Sequence, residues 1–174
     1  FRNISKEEYG LNLNPKNFGI FKRCEKIKTL KNGEIYSYYD IDSYDIFKAD
    51  KISEIPILLI HDFSYSKEIF KTLIEQLIKV GFRCIVPDLR GHGKSTYNSP
   101  VNSITDFVED LKNLTDLLEI KKYHAVIGWS FGGSIGLKIS IDFPGFLNKI
   151  VLINSIPIQG LGIEKNKIET KGNI

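Results

Sequence analysis

The sequence has 174 residues, of which 42% are hydrophobic and 26% are charged. This composition is typical of one folded domain and excludes a disordered or fibrous chain. The formal net charge of +3 is small and its lysines are scattered, so the sequence predicts no nucleic-acid partner.

Other features of the sequence predict a cytoplasmic protein without metal or cofactor. No run approaches the roughly eighteen apolar residues of a membrane span, and the N-terminus lacks the pattern of a signal peptide. Cys24 and Cys84 lie far apart and fit reduced core thiols better than a metal site or a disulfide. The sequence begins with Phe1 and contains no methionine, so we expect a processed chain or one piece of a longer protein.

The first part of the chain carries weak structural patterns. Residues 1–20 are polar and predict an extension, and residues 40–54 predict a polar loop. Between them the sequence predicts a hairpin with strands at 19–30 and 34–40, because Asn32-Gly33 is a favoured hairpin turn.

From residue 55 onward, strand and helix patterns alternate. Continuous apolar runs predict strands buried on both faces, and apolar residues at three- and four-residue spacing predict helices. Ser103 and Asp106 add a possible capping box at one helix start. The predicted strands are 55–60, 83–86, a run around 125–127, and 149–153, and the predicted helices are 67–80, 103–119 and one running to about 142.

This alternation predicts an α/β fold with a mostly parallel sheet and helices on both faces. Ligands of such sheets gather at the carboxyl ends of the strands, where three loops rich in special residues are expected. These loops are 61–64, 88–95 and 128–132. The last predicted strand is apolar and would be an open edge, so we expect a fold that is incomplete at its C-terminal side and is covered by another segment.

The loop at 128–132 reads Gly128-Trp129-Ser130-Phe131-Gly132, which is G-x-S-x-G between a predicted strand and a predicted helix. That context is the one a nucleophile elbow requires. The turn needs a strained, positive-φ serine whose hydroxyl projects from the end of the strand, and glycines on either side leave it room. The alternative is a glycine-rich turn whose serine only caps the helix.

Three elements of the sequence together resemble the α/β-hydrolase superfamily. Residues 57–61 resemble the strand that ends in the family's His-Gly loop, residues 87–95 its D-x-R-G-x-G-x-S loop, and residues 128–133 its elbow. The resemblance covers roughly residues 33–155. It implies an extension at 1–20, the amino-terminal half of a hydrolase core at 21–155, and the start of a cap or linker at 156–174.

The resemblance implies a role for each of five residues. Ser130 would be the catalytic nucleophile, and the N–H groups of Phe131 and Phe63 would form the oxyanion hole. Trp129 and Asp62 are assigned to the substrate pocket. Asp62 stands where the family usually has glycine, and its carboxylate would oppose the developing negative charge unless it points away.

The acid and base of the family's catalytic triad follow the nucleophile in the sequence. Here His61, His92 and His124 all precede Ser130, and Asp142 is on the helix after it. The sequence therefore shows about half of an active site. We expect these residues alone to be inactive and to need the C-terminal half of the same protein as a partner.

The leading functional prediction is a serine hydrolase that cleaves carboxylic esters of small or lipid-like acids through an acyl-enzyme on Ser130. A small-molecule ester would be its substrate. Two alternatives stay open. Asp62 and the absent triad histidine also fit a non-catalytic ligand-binding protein, and the same serine would serve an acyltransferase.

Overall fold

The structure is a computed structural model that describes residues 18–42 and 55–157. The extension and the cap or linker predicted at the two ends therefore lie almost wholly outside the described residues, as does most of the polar loop at 40–54.

Six strands form one sheet in the order β1-β2-β4-β3-β5-β6. β1 runs antiparallel to β2, and β2 runs antiparallel to β4, whereas β4, β3, β5 and β6 are mutually parallel. The predicted mostly parallel sheet is thus confirmed. The strands are β1 (Glu25–Thr29), β2 (Ile35–Ile41), β3 (Ile57–Ile60), β4 (Cys84–Pro87), β5 (Ala125–Trp129) and β6 (Ile150–Ile153).

In the described part of the chain, four α-helices cover both faces of the sheet, as predicted. They are α1 (Phe18–Cys24), α2 (Lys71–Lys79), α3 (Ile104–Leu117) and α4 (Phe131–Asp142). On one face α1 and α2 contribute Phe21 and Ile74 to an apolar cluster with Leu59. On the other face α3 and α4 contribute Leu111 and Ile135 to a second cluster. The central strands β3, β4 and β5 are therefore buried from both sides, which explains their continuous apolar sequences.

The strand predicted at 19–30 is only half correct, because residues 18–24 form α1 and the strand begins at Glu25. Phe21 and Cys24 are three positions apart, and both are buried in the cluster on that face of the sheet. Phe21 also packs its ring against Tyr39 of β2, with 5.4 Å between ring centroids. Helical spacing lets one short segment place both side chains on the same surface, so packing overrides local propensity here.

The hairpin between β1 and β2 turns through Lys31-Asn32-Gly33, with Gly33 at φ 83°, so the loop has three residues instead of the favoured two.

At the start of α3, the Ser103 side chain accepts from a backbone N–H, and the Asp106 carboxylate accepts from the backbone N–H of Ser103. This capping box confirms the predicted helix start and is worth about 1 kcal/mol.

β6 pairs with β5 on one side, and within residues 18–42 and 55–157 no strand pairs with its other side. Val151, Leu152 and Ile153 are correspondingly exposed, each by at least 40% of its surface. The exposed apolar edge expected from the sequence is present in the structure. In the described part of the chain, no helix has the length and apolar character that crossing a membrane demands.

Candidate active site

Ser130 lies in the turn between β5 and α4. Its backbone has φ 52° and ψ −114°, which is a strained conformation for a residue with a side chain. The surrounding backbone holds it there: the Ser130 N–H donates to the Ile153 carbonyl at 2.8 Å, and its carbonyl accepts from Gly133 at 3.0 Å and Ile156 at 3.3 Å. Ser130 is partly exposed. The turn therefore has the geometry that the G-x-S-x-G pattern predicts for an elbow.

The glycines around the serine are required by close backbone contacts. A Cβ on Gly132 would collide with the backbone of Ile60 and the carbonyl of His61, at the end of the neighbouring strand β3. A Cβ on Gly128 would collide with the backbone of Gly132 and of the residue after it. The elbow and the loop after β3 are consequently in direct backbone contact, and this brings residues 61–63 beside Ser130.

The side chain of Asp62 points into the site instead of away from it. Its Oδ1 accepts from the Phe131 N–H at 3.2 Å. Partial burial alone would raise the pKa of Asp62, but the Ser130 side chain and the N–H groups of Phe63 and Phe131 outweigh it and lower the pKa below its ordinary value. Of the two N–H groups expected to form the oxyanion hole, that of Phe131 is therefore bound to an ionised carboxylate, and that of Phe63 stabilises the charge of the same carboxylate.

His61 holds the loop that carries Asp62. Its Nε2 accepts from the Leu89 N–H at 3.0 Å, so the ring proton is on Nδ1, which donates to the Asp62 carbonyl at 2.7 Å. Burial lowers the pKa of His61 to about 4, which keeps the ring neutral near pH 7. Both ring nitrogens are thus engaged with backbone groups, and the ring is not available as a base for Ser130.

His92 bridges the loop at 88–95 and the loop after β3. Its Nδ1 lies 2.8 Å from the Arg90 carbonyl and its Nε2 lies 2.5 Å from the Phe63 carbonyl. The His92 ring also packs edge-on against Phe63, with 5.2 Å between centroids. His92 therefore supports the residue that supplies the second predicted oxyanion donor.

The remaining candidates for a triad partner lie elsewhere. His124 directly precedes β5, at the opposite end of that strand from Ser130, and packs its ring against Phe82 at 5.0 Å. Asp142 is the last residue of α4 and forms an ion pair with Lys138 at 2.5 Å. Among the described residues, the Ser130 side chain acts on the carboxylate of Asp62, whose pKa it lowers.

An open apolar cleft of about 700 Å³ lies beside the elbow. Two of its aromatic side chains, Phe63 and Phe107, contact the ring of Phe131, with centroids 5.8 Å and 5.4 Å from it. The cleft is lined by Phe63, Arg90, Gly91, His92, Tyr97, Val101 and Phe107. An aromatic wall beside the elbow suits an apolar or aromatic part of a substrate.

Neither of the two residues assigned to the substrate pocket from the sequence, Trp129 and Asp62, lines this cleft. The indole of Trp129 packs against Tyr65, with 4.8 Å between centroids. The apolar stripe of α3 places Phe107 on a buried face, but its position beside the elbow depends on how α3 and α4 pack. No pattern in the sequence indicates that Tyr97 lines the cleft.

The described residues offer no cluster of three or more His, Cys, Asp or Glu side chains that could hold a metal ion. The other charged groups around the cleft are occupied by structural partners. Arg90 forms a buried pair with Asp110, with N–O distances of 2.6 Å and 2.8 Å, and hydrogen bonding by Asp110 raises the pKa of Arg90.

Comparisons with known proteins agree with the fold. Residues 55–167 match the family model described as the alpha/beta hydrolase fold. A homoserine O-acetyltransferase of Sulfurimonas autotrophica is 40% identical over 73 residues, which are 41% of this chain and 20% of the relative. A non-heme chloroperoxidase of Kitasatospora aureofaciens is 26% identical over 125 residues, or 72% of this chain and 46% of the relative.

Solved structures show the same resemblance. A carboxylesterase structure from Nitrososphaera gargenis superposes with a TM-score of 0.66 at 30% identity, covering 75% of this chain and 45% of that one. A thermophilic esterase from Thermogutta terrifontis gives a TM-score of 0.62 at 25% identity, over 75% and 45%. The chain thus spans less than half the length of each of these four relatives.

Proposed function

Because the chain belongs to the alpha/beta hydrolase fold family, we propose that it is part of a serine hydrolase that cleaves carboxylic esters through an acyl-enzyme on Ser130. One observation carries the proposal. The Phe131 N–H donates to a negatively charged group, the Asp62 carboxylate, and the Phe63 N–H and the Ser130 hydroxyl stabilise the charge of the same carboxylate. A tetrahedral oxyanion on an acyl group bonded to the Ser130 oxygen needs the two N–H donors in the same place.

The proposed reaction has two steps. In the first, the Ser130 oxygen bonds to the acyl carbon and its proton passes to a base. The bond from the acyl carbon to the alcohol oxygen then breaks, and the alcohol leaves with that proton. In the second, water attacks the acyl-enzyme, releases the carboxylic acid and restores the hydroxyl. The N–H of Phe131 and that of Phe63 stabilise the oxyanion in both steps.

The base in this proposal is a histidine imidazole from outside these 174 residues. All three histidines of the chain precede Ser130, and His61 and His92 are engaged with backbone carbonyls. Loss of the histidine from a comparable triad lowers turnover by about a millionfold. We therefore expect the 174 residues alone to react slowly at best.

The second candidate function is acyl transfer to an alcohol, which is favoured by the similarity to a homoserine O-acetyltransferase. The same acyl-enzyme would form on Ser130, and an acceptor hydroxyl would replace water in the second step. The two functions differ in their product. With an added alcohol, an acyltransferase yields mainly a new ester, whereas a hydrolase yields mainly the carboxylic acid.

The test is labelling of the full-length protein with a fluorophosphonate probe, in which the serine oxygen bonds to phosphorus and fluoride leaves. We expect labelling on Ser130 that is lost in Ser130→Ala. Ser140→Ala is the matched control: Ser140 is on the same helix, but its hydroxyl donates to the Leu137 carbonyl at 2.7 Å. A full-length protein that never labels would contradict the proposal and favour a non-catalytic ligand-binding protein.

A further inference from the structure

The predicted oxyanion hole of this protein already holds an anion, and that anion is a side chain. The Asp62 carboxylate accepts from the Phe131 N–H at 3.2 Å, and the Phe63 N–H and the Ser130 side chain also stabilise its charge. An acyl carbonyl that is to react with Ser130 needs the two N–H groups for itself. Substrate binding must therefore displace the carboxylate from the Phe131 N–H.

The loop backbone limits where the displaced carboxylate can go. The Asp62 carbonyl accepts from His61 Nδ1 at 2.7 Å and from the Tyr65 N–H at 3.1 Å. His92 contacts the next carbonyl, that of Phe63, at 2.5 Å. With the main chain held on both sides, the carboxylate moves by side-chain rotation and stays within one side-chain length of the reacting carbonyl.

The charge of Asp62 has no partner of opposite sign in the described part of the chain. The groups that stabilise its charge, the N–H groups of Phe131 and Phe63 and the Ser130 hydroxyl, are neutral, and its neighbour His61 is kept neutral by burial. Two buried cations are bound to other carboxylates: Arg90 pairs with Asp110, and Lys67 pairs with Asp88. Within the described residues, a neutral substrate would leave this negative charge without a cation beside a developing oxyanion, which is unfavourable.

We propose that Asp62 determines the specificity of this site by favouring acyl substrates that carry a positive charge, such as a protonated amine, next to the reacting carbonyl. This assignment rests on the proposed function, because it places the acyl group at Ser130. The ammonium group of such a substrate pairs with the carboxylate as it leaves the hole. It thereby replaces the lost hydrogen bonds and neutralises the charge beside the oxyanion.

The test compares two isosteric probes that are not esters, so that binding is measured without the reaction. Alaninamide carries an ammonium group where isobutyramide carries a methyl group. Each is titrated into the full-length protein, and the backbone amide resonances of Phe131 and Phe63 report occupation of the hole. We expect alaninamide to bind about tenfold more tightly than isobutyramide, with a preference that weakens as salt is added.

Variants separate the charge of Asp62 from its other effects. Asp62→Asn keeps the shape of the side chain and should bring the ratio of the two affinities to about one. Asp62→Gly serves the same purpose if the asparagine variant does not fold. Asp116→Asn removes an exposed negative charge from α3, outside the residues that line the cleft, and should leave the ratio unchanged.

Each outcome has a defined meaning. Equal affinities in the unmodified protein, no detectable binding of alaninamide, or a preference that persists in Asp62→Asn would overturn the assignment. The p-nitrophenyl esters of alanine and isobutyric acid test the proposed function separately. A charge preference in amide binding without cleavage of either ester supports the role of Asp62 and contradicts the hydrolase. Cleavage of both esters at equal rates supports the hydrolase and overturns the role of Asp62.

Discussion

Replacing Lys67 with methionine should destabilise the protein more than any substitution of a surface lysine. Only 1% of the Lys67 side chain is exposed, and its ammonium group contacts Asp88 at 2.6 Å, Glu25 at 2.9 Å and the Ser37 hydroxyl at 3.0 Å. Asp88 is fully buried and would keep only two backbone donors, the N–H groups of Lys67 and Lys94. The variant thus leaves a buried carboxylate without a cation.

Removing one partner of a buried ion pair costs about 3–5 kcal/mol, a large part of the 5–15 kcal/mol that stabilises an ordinary domain. Urea unfolding measures this loss. With a slope of about 2 kcal/mol per molar urea, the midpoint should fall by about 2 M. Combining Lys67→Met with Asp88→Asn should recover part of the loss, because the asparagine needs no counter-charge.

Lys112→Met is the control for this experiment, since Lys112 forms an i,i+4 pair with the exposed Asp116 on the surface of α3. Exposed pairs of this kind contribute less than about 1 kcal/mol. A cost below 1 kcal/mol for Lys67→Met, or a cost equal to that of Lys112→Met, would refute the argument from burial.

Two further predictions concern the elements that position the site. The free energy of unfolding should fall by up to about 3 kcal/mol as pH is lowered from 6.5 towards 4. In the unfolded chain His61 is protonated at its ordinary pKa of 6.5, whereas burial lowers the pKa of His61 in the folded protein to about 4. Urea unfolding at pH 7, 5.5 and 4.5 measures how the free energy of unfolding changes with pH, and His61→Asn should remove most of that change. An unchanged pH dependence in this variant would contradict the role of His61. Gly132→Ala should destabilise by about 3 kcal/mol or more, because its Cβ would collide with the Ile60 backbone. Thermal unfolding compares this variant with Gly19→Ala, whose added Cβ meets no atom within 4 Å and which should be neutral or stabilising. A similar loss of stability in both variants would count against the close contact at Gly132.

The parts of the fold that could be predicted from the sequence are those where one pattern dominates over several residues. The continuous apolar runs of β3 and β5, and the stripe and capping box of α3, each admit one interpretation. α1 does not, because seven residues are too few to establish a period and its apolar positions fit a strand equally well. Its helical state depends on contacts with β2 and α2, which lie far away in the sequence.

The candidate site likewise has one part that could be predicted from the sequence and one that could not. The G-x-S-x-G pattern predicts the turn at Ser130, because only a few backbone conformations join a strand to a helix so abruptly. The direction of Asp62 could not be predicted in this way. The sequence indicates only that this carboxylate would oppose a developing negative charge unless it points away, and in the resting site there is no such charge. The Phe131 N–H, which comes from a different loop, binds the carboxylate and favours an orientation into the site.

The way in which Asp62 leaves the oxyanion hole has a kinetic consequence. Opening by loop movement would break the hydrogen bonds that His61 and Tyr65 donate to the Asp62 carbonyl, and the contact between His92 and Phe63. Rotation of the Asp62 side chain breaks none of these, and rotamer changes of partly exposed side chains take only picoseconds to nanoseconds. Displacement of the carboxylate therefore changes the equilibrium for substrate binding without adding a slow step. Stopped-flow mixing with alaninamide should show a single binding phase whose rate rises linearly with concentration, because a slow opening step would instead make the rate level off.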